Sequence, residues 1–85
     1  MKKIQLFYLE YCPYCKKTRK DLEALLKLEK YAQVQIEWIE ESKEAELANQ
    51  YDYYYVPCFY VDGVKMKEGA LEYKDVQQVL DVAVN

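Results

Sequence analysis

Residues 3–15 read Lys3-Ile4-Gln5-Leu6-Phe7-Tyr8-Leu9-Glu10-Tyr11-Cys12-Pro13-Tyr14-Cys15, and the change of pattern inside this stretch decides the fold. Residues 3–9 are rich in β-formers, and both alternating sets are largely apolar: Ile4, Leu6 and Tyr8, then Phe7 and Leu9. Such a segment reads as a strand buried on both faces, hence a central one. The pattern switches at Cys12-Pro13. From Tyr14 to about Tyr31 the positions Thr18, Leu22, Leu25 and Leu26 follow helical spacing, with Lys and Glu on the other side. Pro13 suits the first helical position, where its missing N–H costs nothing.

Outward from this junction, Val34 to Glu40 alternates Val34, Ile36 and Trp38 against Gln35, Glu37 and Glu40, broken only by Ile39. The charges predict an edge strand protected from pairing with a second molecule. Ser42 offers an N-cap to a short helix through Leu47, Ala48 and Tyr51, which Asp52 would end in a left-handed conformation. Residues 58–61 and 64–67 are β-rich runs joined by Asp62-Gly63, the pair that accepts the positive φ angles of a hairpin turn. A last helix places Tyr73, Val76, Val79, Leu80 and Ala83 on one face. The order is β-α-β-α-β-β-α. A helix between the first two strands implies a right-handed parallel crossover, and the later hairpin is antiparallel.

Eighty-five residues, 52% hydrophobic and 32% charged, describe one globular domain over 1–85. No apolar run has the ~20 residues of a membrane span, and the residues before Cys12 do not read as a signal peptide. A cytoplasmic protein is expected. A net charge of −3 and a single arginine, Arg19, argue against nucleic acid as a partner. The absence of histidine excludes His-based acid–base catalysis and most zinc sites. Three cysteines, two of them in one C-x-x-C, point to catalysis or metal rather than to a disulfide framework.

The C-x-x-C at a strand-to-helix junction meets the needs of disulfide exchange. The attacking species is a thiolate, and Cys12 at a helix N-terminus would have its anion stabilised by unpaired N–H groups. Lys16, Lys17, Arg19 and Lys20 crowd the first turns and would add to this effect. Cys15, one turn on, is placed to attack a mixed disulfide at Cys12. The alternatives are half of a zinc or iron–sulfur site completed by Cys58, or an inert pair. Metal lacks a fourth protein ligand, so none is expected.

Cys12-Pro13-Tyr14-Cys15 resembles the tetrapeptide typical of dithiol glutaredoxins, and Tyr55-Val56-Pro57 is similar to their Thr-Val-Pro segment. The resemblance covers essentially the whole chain. It implies a thioredoxin-like α/β fold, a four-stranded mixed sheet flanked by three helices, in a monomeric thiol–disulfide oxidoreductase. It also implies a cis peptide at Val56-Pro57, with the Val56 backbone pairing with the cysteinyl part of glutathione. Tyr14, Tyr11 and Tyr55 would border the substrate groove, and Ala70, Leu71 and Glu72 would face the γ-glutamyl end.

Two departures concern the reductant. Glutathione users of this family usually carry Lys or Arg three residues before the first cysteine, where this chain has Leu9, followed by Glu10. They also tend to carry Gly-Gly and then an Asp, where this chain has Gly69-Ala70-Leu71-Glu72. Each change removes a contact to an anionic tripeptide, unless Lys16 or Lys67 compensates. Two expectations follow: reduction of protein or glutathione-mixed disulfides with glutathione as reductant, or recharging by thioredoxin reductase, as in glutaredoxin-like donors to ribonucleotide reductase. Cys58 reads either as a buried small hydrophobe or as a third thiol near Cys12. Of the ten tyrosines, Tyr8 and Tyr73 read as core or rim.

Overall fold

The computed structural model describes all residues, 1–85. Strands β1 (Ile4–Tyr8), β2 (Ile36–Glu40), β3 (Cys58–Val61) and β4 (Val64–Glu68) form one sheet in the order β2-β1-β3-β4. β1 runs parallel to β2, from Ile4↔Ile36 to Tyr8↔Glu40, and antiparallel to β3, from Ile4↔Val61 to Phe7↔Cys58. Helices α1 (Pro13–Leu26), α2 (Ala45–Ala48) and α3 (Tyr73–Val84) complete the expected β-α-β-α-β-β-α order. No helix is long and apolar enough to cross a membrane.

The period-two alternation of β1 and β3 divides the core in two. Ile4, Leu6, Phe59 and Val61 meet Leu22 and Leu25 of α1 and Val76, Val79, Leu80 and Ala83 of α3. Phe7, Cys58 and Tyr60 lie in the smaller cluster with Ile39 and Ala48. There the Phe7 ring packs against Tyr51 and Tyr53 at 4.7 and 5.0 Å. Burying one Leu or Phe side chain contributes about 2 kcal/mol, so the two helices on the larger face supply most of the packing. At the hairpin, Asp62 and Gly63 take φ of 48° and 82°, as their sequence predicts.

Four sequence expectations are corrected. α1 ends at Leu26, and residues Glu29–Tyr31 form a separate 3-10 turn, because Lys27 and Leu28 leave the helical ladder. Trp38 is not a core residue. It packs edge-on to Tyr8 at 5.7 Å and stays 40% exposed, while Ile39 and Glu40 are buried. Ser42 caps no helix: its N–H and hydroxyl both donate to the Glu40 carboxylate at 2.6 Å, and α2 begins after Glu44. Asp52 is not left-handed, since Asp62 is the non-glycine residue with positive φ. Tyr73, read as core or rim, lies at the first turn of α3 and is 42% exposed.

Candidate active site

The sheet brings four chain segments to one end. β1 and β2 are parallel, so the loops leaving Tyr8 and Glu40 emerge together. The antiparallel register Phe7↔Cys58 brings Val56 and Pro57 to the same end, and Cys58↔Glu68 adds the exit of β4. The loop to Cys12 is held from two sides. The Glu10 N–H donates to the Glu40 carboxylate at 3.2 Å, and the Arg19 guanidinium donates to the Glu10 carbonyl at 3.1 Å. Glu40 is buried, and its carboxyl lies below the usual carboxylate range, first because the Ser42 hydroxyl donates to it.

Cys12 is the N-cap residue of α1, with extended backbone (φ −73°, ψ 126°), and Pro13 follows at the first helical position. Its side chain is half-buried, whereas Cys15 is 1% exposed. Cys12, Cys15 and Cys58 are free thiols. Burial raises the Cys12 pKa, but the N–H groups of Cys15 and Tyr14 and the Cys15 thiol outweigh it, so the value falls below the ordinary 9.0. On Cys15 burial is the largest influence; it outweighs the Leu9 N–H at 3.5 Å from the sulfur and the Arg19 charge, and the pKa is raised to about 11. One thiol is thus accessible and prone to ionise; its neighbour is covered and holds its proton.

The basic residues of α1 contribute less than their number suggests. Arg19 points back to the loop and lies over the Tyr8 ring at 5.9 Å, while Lys17 pairs with Asp21 at 2.7 Å. Lys16 is exposed, and neither it nor Lys20 is among the causes of the Cys12 shift. The helix N–H groups do that work instead.

Around Cys12, Tyr11, Tyr14 and Tyr55 are exposed, as is Tyr54 beside them. A cavity of about 510 Å³ opens next to the thiol, with Leu9, Glu10, Tyr11, Glu40 and Lys43 in its walls. The Val56–Pro57 peptide bond is cis, Pro57 is buried, and the Val56 N–H and C=O form no hydrogen bond within the protein. Ala70 is exposed, and Glu72 caps α3 in a reciprocal arrangement with Asp75, whose carboxylate accepts the Glu72 N–H at 2.9 Å. Leu71 does not border a groove. It is buried in the larger core cluster, so its side chain anchors the turn into α3. Lys67 is drawn to Asp75 at 3.5 Å.

Cys58 belongs to the smaller core cluster, on the sheet face opposite the helix that carries Cys15. It is fully buried, and burial together with the nearby Glu68 charge raises its pKa to about 12. The proposed three-thiolate centre therefore does not form, and no group of three or more Cys, Asp or Glu residues is placed to hold a metal ion. Sequence reasoning missed Glu40 and Glu68. Both end strands, and nothing in their sequence neighbourhood marks a carboxylate that turns back to bind loop amides.

The comparisons with known proteins agree with this fold. No curated protein matches the chain. A thioredoxin of Malassezia sympodialis superposes with a TM-score of 0.78 at 14% identity, over 99% of this chain and 76% of that one. A Fasciola hepatica thioredoxin gives 0.73 at 20% identity, over 96% and 80% of the two chains. Oxidised glutaredoxin 2 of Chlamydomonas reinhardtii gives 0.53 at 17% identity, over 98% and 75%. At these identities the likeness is one of fold. The family model described as "Thioredoxin domain" matches residues 2–81, nearly the whole chain, and the chain therefore belongs to the thioredoxin-domain family.

Proposed function

We propose that the protein is a dithiol oxidoreductase, a glutaredoxin-like redoxin that reduces protein disulfides through Cys12 and Cys15. The observation that carries this reading is the asymmetry of the two thiols: Cys12 accessible with a lowered pKa, Cys15 covered with a pKa of about 11. The Cys12 thiolate attacks one sulfur of the substrate disulfide, forms a mixed disulfide, and releases the other sulfur as a thiolate. Cys15 then loses its proton and attacks the Cys12 sulfur, which releases the second substrate thiolate. The substrate gains two electrons, and the enzyme is left with a Cys12–Cys15 disulfide for an external reductant to reopen. The unpaired Val56 N–H and C=O are the groups offered to an extended substrate strand. Exposed Tyr11, Tyr14 and Tyr55 supply apolar contact around the thiol.

Protein substrates, with the Cys12–Cys15 disulfide reopened by a thioredoxin-reductase-type enzyme, fit the site better than glutathione. The cavity wall carries Glu10 and Glu40, its cation Lys43 is paired with Glu10 at 3.6 Å, and Lys67 is engaged by Asp75. An anionic tripeptide finds little unpaired positive charge there, with Lys16 the nearest exposed ammonium in the sequence. The glutathione-linked reading retains one favourable feature, the Glu72 cap at the start of α3. NADPH-coupled disulfide reduction separates the two. Turnover with thioredoxin reductase alone supports the first reading, and turnover with glutathione plus glutathione reductase alone overturns it in favour of the second.

A further inference from the structure

Between α2 and β3 the chain approaches the thiols without secondary structure, and from Tyr53 to Val56 no backbone group bonds to another backbone group. The segment is held from outside. At its start, the Tyr60 hydroxyl donates to the Asp52 carbonyl at 2.6 Å. At its centre, one carboxylate oxygen of Glu68 accepts both the Tyr54 N–H at 2.8 Å and the Tyr55 N–H at 3.1 Å. The other Glu68 oxygen is paired with Lys65 at 3.1 Å. Beyond Glu68 the chain turns at Gly69 (φ +92°), whose N–H donates to the Pro57 carbonyl at 2.9 Å and where a Cβ would lie 3.7 Å from that of Tyr55. The end of β4 thus grips the segment on both sides of Val56.

We infer that Glu68 is a positioning residue for substrate: its carboxylate fixes the Tyr54–Tyr55 backbone and thereby aims the unpaired Val56 N–H and C=O at the disulfide being reduced. This rests on the proposed role of Val56 in docking. Charge-assisted bonds to two consecutive amides are among the stronger side-chain contacts, and their loss frees a segment with no other backbone tether. Glu68 touches neither thiol. Cys12 draws its stabilisation from the α1 N–H groups, so its ionisation is independent of the clamp.

The test compares the full chain with Glu68→Ala and the near-isosteric Glu68→Gln, the second guarding against a folding defect. Amide hydrogen exchange at Tyr54 and Tyr55 should accelerate about tenfold or more in Glu68→Ala and less in Glu68→Gln, which keeps an acceptor oxygen. With insulin as the disulfide probe, KM should rise about tenfold while kcat stays within about twofold, and the rate of Cys12 alkylation by iodoacetamide should not change. An unchanged KM in Glu68→Ala overturns the inference, whether or not the amides exchange faster. A fall in alkylation rate matching the loss of activity also overturns it, because Glu68 would then act through the thiolate. Cys12→Ser is run beside these variants. Residual activity there overturns the oxidoreductase reading itself, whereas a dead Cys12→Ser with an unchanged Glu68→Ala KM overturns only the role of Glu68.

Discussion

Cys12 and Cys15 share a sequence motif but not an environment. Cys12 stands before the first turn of α1, where N–H groups of the next residues point at its sulfur; Cys15 stands inside the turn, against the sheet. The folded state lowers the pKa of Cys12, so its thiolate is present at pH values where an ordinary thiol is protonated. The rate of Cys12 alkylation should therefore climb with pH through a midpoint below 9.0, and a second, slower reactivity belonging to Cys15 should appear near pH 11. A single midpoint at the ordinary thiol value would show that the N–H groups do not reach the sulfur. One turn further, the Thr18 hydroxyl is buried without a hydrogen-bond partner. Thr18→Val keeps the shape and removes that cost, so urea unfolding should show a gain of about 1 kcal/mol. The placement of the two candidate thiols was legible in the sequence because C-x-x-C after a strand has one economical placement. The bonds that tie Glu40 to Glu10 and Glu68 to Tyr54 were not, because those partners are backbone amides many positions away, and a side-chain-to-amide bond leaves no trace in spacing.

Among the elements, the β1–α1 unit and the β3–β4 hairpin follow most directly from local chemistry. At the hairpin, Gly63 has φ of +82° and open space where a side chain would begin, so a substitution there meets strain but no clash. Gly63→Val should cost about 1–2 kcal/mol, read as a lower denaturation midpoint with an unchanged slope. A neutral result would mean that the turn relaxes to another type. Elsewhere local signals misled. The stretch from Lys27 to Tyr31 carries no glycine or proline to mark the end of α1, so the break before the 3-10 turn was invisible. In β2, Trp38 shares a face with Ile36, yet at an edge strand the face is not fully covered, and the largest apolar side chain lies against Tyr8 beside solvent. For α2, Ser42 is a good cap by composition, but the buried Glu40 carboxylate captures its hydroxyl first.

At the scale of the molecule, the parallel β1–β2 pair and the antiparallel β1–β3 pair place the thiols, the Val56 backbone and the Glu68 clamp at one end of the sheet. The proposed chemistry and the proposed docking groups thereby come from segments more than forty positions apart in the chain, which is why the groove itself could not be read from the motif. Cys58 sits on the other face, excluded from both. The most direct test of this arrangement is the capture of the mixed disulfide. Cys15→Ser, incubated with an oxidised protein substrate and mapped by mass spectrometry, should carry that substrate as a reducible adduct on Cys12, and a Cys12→Ser/Cys15→Ser double variant should carry none. An adduct on Cys58, or the same adduct yield after Cys12 is removed, would contradict the assignment of Cys12 as the attacking thiol.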